Sequence, residues 1–426
     1  MAHTALMLKH LLLLFAVSIF YTSVGQKQLE YRDRAYEPEI KTIQCYAGPP
    51  NIIADKFHPA ATPLRPFSLI LEFDDLRQDY NSYQVYLIHC NADWSKSSLS
   101  NLDFLEEYNE FNINGYEYST NTAIPYVHYS FEVPPVKLPG NYVLVVYRDF
   151  NQKDIVLSKR FVVFDNQVSI VAANASSGGT LFTSNQQLNF VVNYPKFQLV
   201  NPHQSVSVIV RQNDRWDNAK INVKPSFIRE DIRQLEYRFF DTDKFFNAGN
   251  EFRFVDFRSV VAPGINTLKM DRTVIPHHLL IQPDKPRTNE YYSQYQDING
   301  NFIIDNLDWQ RNPQSSTYVN VTFMLKSTQL SNENVYVAGA FTNWERTKAN
   351  LMRYNPGTSS YEATILMKQG WYNYQYLVDS KTTDNNYFEG NHYQTENMYE
   401  ILVYYRPFQP NADLLIGYMV LPVNPR

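Results

Sequence analysis

Residues Val335–Asp379, VYVAGAFTNWERTKANLMRYNPGTSSYEATILMKQGWYNYQYLVD, constrain the fold more than any other stretch of the chain. A β-branched and aromatic run at Val335, Tyr336 and Val337 stops at Gly339. A second run covers Tyr361 to Leu366. A third, Trp371 to Val378, follows a turn at Gln369-Gly370. Short runs of these residue types, punctuated by Gly, Asn and Pro, predict strands, and their spacing suggests half of a small β-sandwich. The rest of the chain has the same character. Its 32 Tyr and 27 Phe, with only 14 Gly and no extended helical period, predict an all-β protein.

The amino terminus looks like a leader. Lys9 and His10 precede the apolar run Leu11 to Phe20, and Ser23-Val24-Gly25 supplies small residues for cleavage near Gly25/Gln26. That run is too short to span a bilayer as a helix, and no Cys follows it to take a lipid anchor. The expectation is an exported chain with residues 1–25 removed. A net charge of −5 argues against nucleic acid or an anionic membrane surface as the main partner. The two cysteines, Cys45 and Cys90, read as buried free thiols in preference to a disulfide; two cannot staple a chain of this length.

At roughly 150 residues per domain, the chain divides into two or three. Tandem immunoglobulin-like sandwiches are expected at residues 26–165, 166–286 and 316–426, with a linker at 287–315 that turns at Asn299-Gly300. Within the first, Tyr83 to Trp94 (YQVYLIHCNADW) is apolar on both alternating faces, which predicts a strand covered on two sides. The third is expected to take its strands from Tyr318 to Leu325, Met398 to Tyr405 and Leu414 to Val420.

No stretch carries the spacing of a catalytic motif: there is no G-x-S-x-G, H-E-x-x-H, phosphate-cradling loop or C-x-x-C. His89 and Cys90 are neighbours on a strand, so their side chains point to opposite faces and cannot act as a nucleophile pair. Asp297-Ile-Asn-Gly-Asn301 has oxygen ligands at calcium-loop spacing, but Phe302 stands where such a loop needs Gly, and a plain turn is expected. No metal, cofactor or catalytic residue is expected, and the chain is read as a non-enzyme.

Two regions remain for binding. Arg211, Asn213 and Trp216 lie in one polar and aromatic mixture, Glu251 and Arg253 in another where charges fall on both faces of any strand. Such strands either pair their charges internally or present an edge to a partner, so these five are the partner-binding candidates. The order of residues around Trp344 and Tyr374 also resembles the early-set, glycogen-binding type of immunoglobulin-like module. That resemblance makes Trp344 a candidate sugar-stacking ring, and an exported carbohydrate-binding protein the alternative function. Gln375 and Thr382, however, stand where those modules carry a Lys and a second Trp.

Motifs running through nearly the whole mature chain resemble the plug protein family of the type IX secretion system of Bacteroidota. They are Leu71-Glu-Phe-Asp-Asp-Leu76, Ile88-His-Cys-Asn-Ala-Asp-Trp94, Ser119-Thr-Asn-Thr122, Tyr126-Val-His-Tyr129, Pro139-Gly-Asn-Tyr142, Arg211-Gln-Asn213, Gly249-Asn-Glu-Phe-Arg253, Asp297-Ile-Asn-Gly300, Lys368-Gln-Gly370 and Thr395-Glu-Asn397. The resemblance implies a periplasmic protein of tandem sandwiches. It further implies a partner, the outer-membrane translocon barrel (SprA/Sov-like), whose periplasmic opening the protein would block when no client is exported. It carries over no catalytic residue.

Overall fold

The computed structural model describes residues 27–48, 59–175, 182–238, 245–309 and 312–425; the expected leader lies outside them. The chain is all-β, built from three sandwiches. The first packs two sheets face to face. One is ordered Arg34–Ala35, Asn151–Phe164, Gly140–Arg148, Tyr83–Cys90, Phe111–Asn112, with Ala61–Pro63 parallel to the long strand. The other is ordered Ile40–Tyr46, Ile70–Asp75, Val127–Glu132, Gly115–Tyr118. Leu71, Phe73, Val85, Leu87, Leu144 and Leu157 fill the space between them.

Strand Tyr83–Cys90 is covered on both faces. Val85 and Leu87 face the first core, whereas Ile88 and Cys90 face a second one. Across that second core lies a sheet ordered Lys220–Val223, Val206–Gln212, Asn397–Tyr405, Leu414–Val423. Its Ile209, Leu402, Tyr404 and Leu415 pack on the first unit. Its opposite face, with Val208, Ile401 and Val403, packs on strands Ser169–Ala175, Asn185–Asn193, Gln234–Tyr237 and Phe227–Arg229 to make the second sandwich. Four sheets are therefore stacked, and the middle two are buried on both faces.

This arrangement corrects the strand assignment expected for residues 316–426. Asn397–Tyr405 and Leu414–Val423 do not complete the third sheet; they form the inner sheet of the second sandwich, in register with Val206–Gln212. The physical reason is in their composition. Asn397–Tyr405 has large side chains on both faces, and burying each Val, Leu or Tyr-sized group is worth about 1.5–3 kcal/mol. Such a strand is stable only where layers cover both sides.

The expected second domain also loses strands. Arg253–Asp256 pairs with Gly370–Asp379, and Thr267–Asp271 and His277–Ile281 extend the sheet through Tyr318–Lys326. These strands belong to the third sandwich. It continues through Asn334–Ala338, Leu351–Asn355 and Ser360–Lys368, and encloses Val255, Val321, Phe323, Val337 and Tyr374. The third unit is thus inserted between strands of the second.

Asp297 to Asn301 forms a turn. Asp297 Oδ1 accepts from Asn299 N at 2.8 Å, and Asn299 and Gly300 both have positive φ, 54° and 81°. Cys45 and Cys90 are buried and unpaired, in different cores, and desolvation pushes each thiol up to about 12.

Candidate functional site at the meeting of the three units

A polar cleft of about 920 Å3 opens where the units converge. The first unit contributes Asp33, Lys159 and Arg160, the second Asp214 to Lys220, and the third Trp344 to Thr347. Behind it, starting from Arg160 and Trp216 in its lining, runs an alternation of guanidinium groups and indoles. Trp94 and Trp216 meet edge to face at 4.9 Å. Arg160 lies 5.1 and 5.3 Å from their ring centres, and Arg211 stacks on Trp216 at 4.4 Å. Desolvated cation–π contacts of this kind contribute up to about 2 kcal/mol each. The ladder joins the first unit to the second.

Arg211 is buried and cannot reach outward. Its guanidinium pairs with Glu400 and Asp214, each at 2.6 Å, while Tyr418 donates to the same Glu400 at 2.6 Å. Burial, with the Glu400 carboxylate adding to it, raises Asp214 to about 6 against the pull of Arg211. Asn213 exchanges hydrogen bonds with residues 397 and 398, donating from Nδ2 to Asn397 Oδ1 at 2.7 Å and accepting from Met398 N at 2.8 Å. Of the three candidates in this stretch, only Trp216 keeps partial exposure at the cleft.

Glu251 and Arg253 lie in a separate buried cluster. Arg253 donates to Glu389 at 3.0 Å, to Asp284 at 2.9 Å and to the Lys285 carbonyl at 2.8 Å. Arg287 binds the other Glu389 oxygen at 2.6 Å, and Tyr374 and Tyr376 donate to Asp284 at 2.8 and 2.7 Å. The two guanidinium groups hold Glu389 at about 2 despite its burial. Glu251 takes a hydrogen bond from Tyr292 and one from Glu396 N at 3.2 Å. Of the two readings left open for these charges, internal pairing is what the geometry shows.

Trp344 is 8 % exposed. Arg215 sits over its ring at 4.1 Å, Phe252 packs at 5.7 Å, and the Gly300 backbone lies so close that a Cβ there would meet the indole at 2.4 Å. A sugar ring has no free face on which to stack. Gln375 is buried and Thr382 exposed, so the three positions do not share a platform. Among the described residues, no group of three His, Cys, Asp or Glu side chains is arranged to hold a metal ion.

Sequence reasoning missed the junction between the first and third units. There Asp74 accepts from Lys368 at 2.7 Å, from Tyr318 at 2.6 Å and from His128 at 2.8 Å. The opposing charges are 294 positions apart, so no local pattern could have joined them. The one available signal was that both stand in the motif runs quoted above.

Fold and site together define an all-β protein of three cross-braced sandwiches, the last of early-set type. Residues 40–165 match the model for the Type 9 secretion system plug protein 1st domain. That domain match supports the type IX secretion plug family. Residues 321–404 match the model for the glycogen recognition site of AMP-activated protein kinase. A crystallised hypothetical protein from Parabacteroides merdae ATCC 43184 is 29 % identical and superposes with a TM-score of 0.86, over 93 % of this chain and 100 % of that one. No curated protein matches.

Proposed function

We propose that this chain is a non-enzymatic periplasmic plug. It docks by protein contact on the periplasmic opening of the type IX translocon barrel (SprA/Sov-like) and occludes it when no client is exported. The observation that carries the reading is the plug-domain match over residues 40–165. Two structural features support it. Four stacked sheets with apolar cores on both sides of the middle pair make a bulky body; the buried Lys368–Asp74 ion pair ties the third unit to the first, and Arg160 over Trp216 ties the first to the second. A stopper needs that stiffness, since a wide pore left open leaks solutes. No helix among the described residues is long and apolar enough to cross a membrane; in this reading, association with the outer membrane runs through the partner.

Two measurements test this. Purifying a tagged chain from solubilised envelopes should bring down the type IX barrel. Adding the chain to that barrel in a planar bilayer should lower its conductance from the periplasmic side only. A barrel that neither co-purifies nor closes would overturn the proposal. The carbohydrate-binding alternative draws on the match over 321–404, but the occupied faces of Trp344 weigh against it.

A further inference from the structure

The edge of the first unit carries an unclaimed strand. Gly115–Tyr118 ends its sheet, bonded to Val127–Glu132 on one side only, and all four residues are exposed. Its free side can be read from the register. Ser119 N donates to Tyr126 O at 2.9 Å, and bonded and unbonded pairs alternate along an antiparallel ladder. Glu117/His128 and Gly115/Ser130 are therefore the bonded pairs, and the N–H and C=O groups of Tyr116 and Tyr118 point away from the sheet.

The side chains of this edge divide by face. Tyr116 lies opposite Tyr129, a residue of the first core, so Tyr116 and Tyr118 continue the core face beyond its cover. Tyr80 packs against Tyr116 at 4.7 Å with the rings tilted 46°, and Tyr116 and Tyr118 meet edge to face at 5.9 Å. Glu117 stands on the opposite face. The strand's one charge is the exposed carboxylate of Glu117, and residues 97–136 around it in sequence hold five more (Asp103, Glu106, Glu107, Glu110, Glu132) and no Lys or Arg, Lys137 just beyond lying 4.0 Å from Glu106. Natural edge strands are commonly blunted by Lys or Pro, and this one has neither.

We propose that Gly115–Tyr118 accepts an extended, basic segment of another protein as an added strand. Its apolar side chains would cover Tyr80, Tyr116 and Tyr118, and its alternate Lys or Arg side chains would meet Glu117. Main-chain hydrogen bonds to Tyr116 and Tyr118 supply the docking, and the alternation supplies the selectivity. The inference goes beyond occlusion of a pore and holds whichever extended basic partner supplies the strand.

The probes are two capped, fluorescent octapeptides, one alternating Lys and Val and the other alternating Glu and Val, titrated against the full chain. The basic peptide should bind at least roughly tenfold tighter, and amide exchange at Tyr116 and Tyr118 should slow in its presence. Tyr118→Pro removes one outward N–H without touching the inner ladder and should weaken binding at least roughly tenfold. Glu117→Lys, at an exposed position where folding is not at stake, should reverse the preference between the peptides. Equal binding of the two peptides, unchanged exchange at these amides, or a chain that dimerises through this edge would each overturn the proposal.

Discussion

The Lys368 ammonium donates to Asp74 at 2.7 Å inside the junction of the first and third units, with both side chains almost wholly buried and the ammonium 4.2 Å from the centre of the Tyr126 ring. Desolvation alone would raise the Asp74 carboxyl; Lys368 and His128 outweigh it and hold it at about 2. Removing one member strands the other in a low-dielectric site. Lys368→Met is therefore expected to cost about 3–5 kcal/mol, and the double variant Lys368→Met/Asp74→Asn much less. Calorimetric unfolding checks this, and a single variant as stable as the double would contradict it.

Acid stability follows from the same groups. Asp74 and Glu389 lie at about 2, below their ordinary 3.8 and 4.5, so the stability they contribute is present above those values and is lost as pH falls toward 2. His89, lowered to about 4 chiefly by burial, loses its contribution as pH falls from 6.5 to 4. Asp214, raised to about 6, acts in the opposite sense and favours the folded state as pH drops through that window. The expected profile is shallow from pH 6.5 to 4 and steep below. Asp214→Asn should steepen the upper part; denaturant midpoints at half-unit steps measure it, and an unchanged upper slope would refute the assignment.

Trp344 should prove a packing residue. Trp344→Ala is expected to lower stability by about 3–5 kcal/mol, as loss of a buried aromatic does. Gly300→Ala, forced onto a positive φ and into the indole, should cost about 1–3 kcal/mol. Native chain and variants alike should pass an amylose column unretained. Retention of the native chain that disappears in Trp344→Ala would restore the sugar-binding reading.

The carboxyl-terminal strands should be indispensable to a unit that begins more than two hundred residues earlier in the chain. Deleting residues 397–426 uncovers Val206, Val208 and Val210 on one face and Ile209 on the other. The shortened chain should bind a hydrophobic dye and lose the cooperative unfolding of the second sandwich. A truncated protein with the parent's exchange protection in Val206–Gln212 would count against the pairing.

Both thiols should resist modification. Cys45 and Cys90 are buried and pushed up to about 12, so a thiol reagent at pH 8 should react with neither in the folded chain and with both in denaturant. Rapid labelling of either cysteine in the native protein would contradict the cores described.

Much of this protein was determined locally. Alternation in Tyr83–Cys90 already required cover on two sides, the runs at 335–379 already required strands, and Asn299-Gly300 already required a turn, because a strand's faces and a turn's φ values depend on adjacent residues. What only tertiary structure decided is which strands share a sheet and which charges meet. Asn397–Tyr405 joins Val206–Gln212, Arg211 finds Glu400, and Arg253 finds Glu389, across separations that periodicity cannot see. A buried charge is tolerated only beside its partner, and that partner's place in the chain is set by topology. For that reason Arg211, Asn213, Glu251 and Arg253 stood out in the sequence as polar groups on strands, yet proved to be internal braces, while the exposed Tyr116 and Tyr118 gave no local sign that their strand would end a sheet.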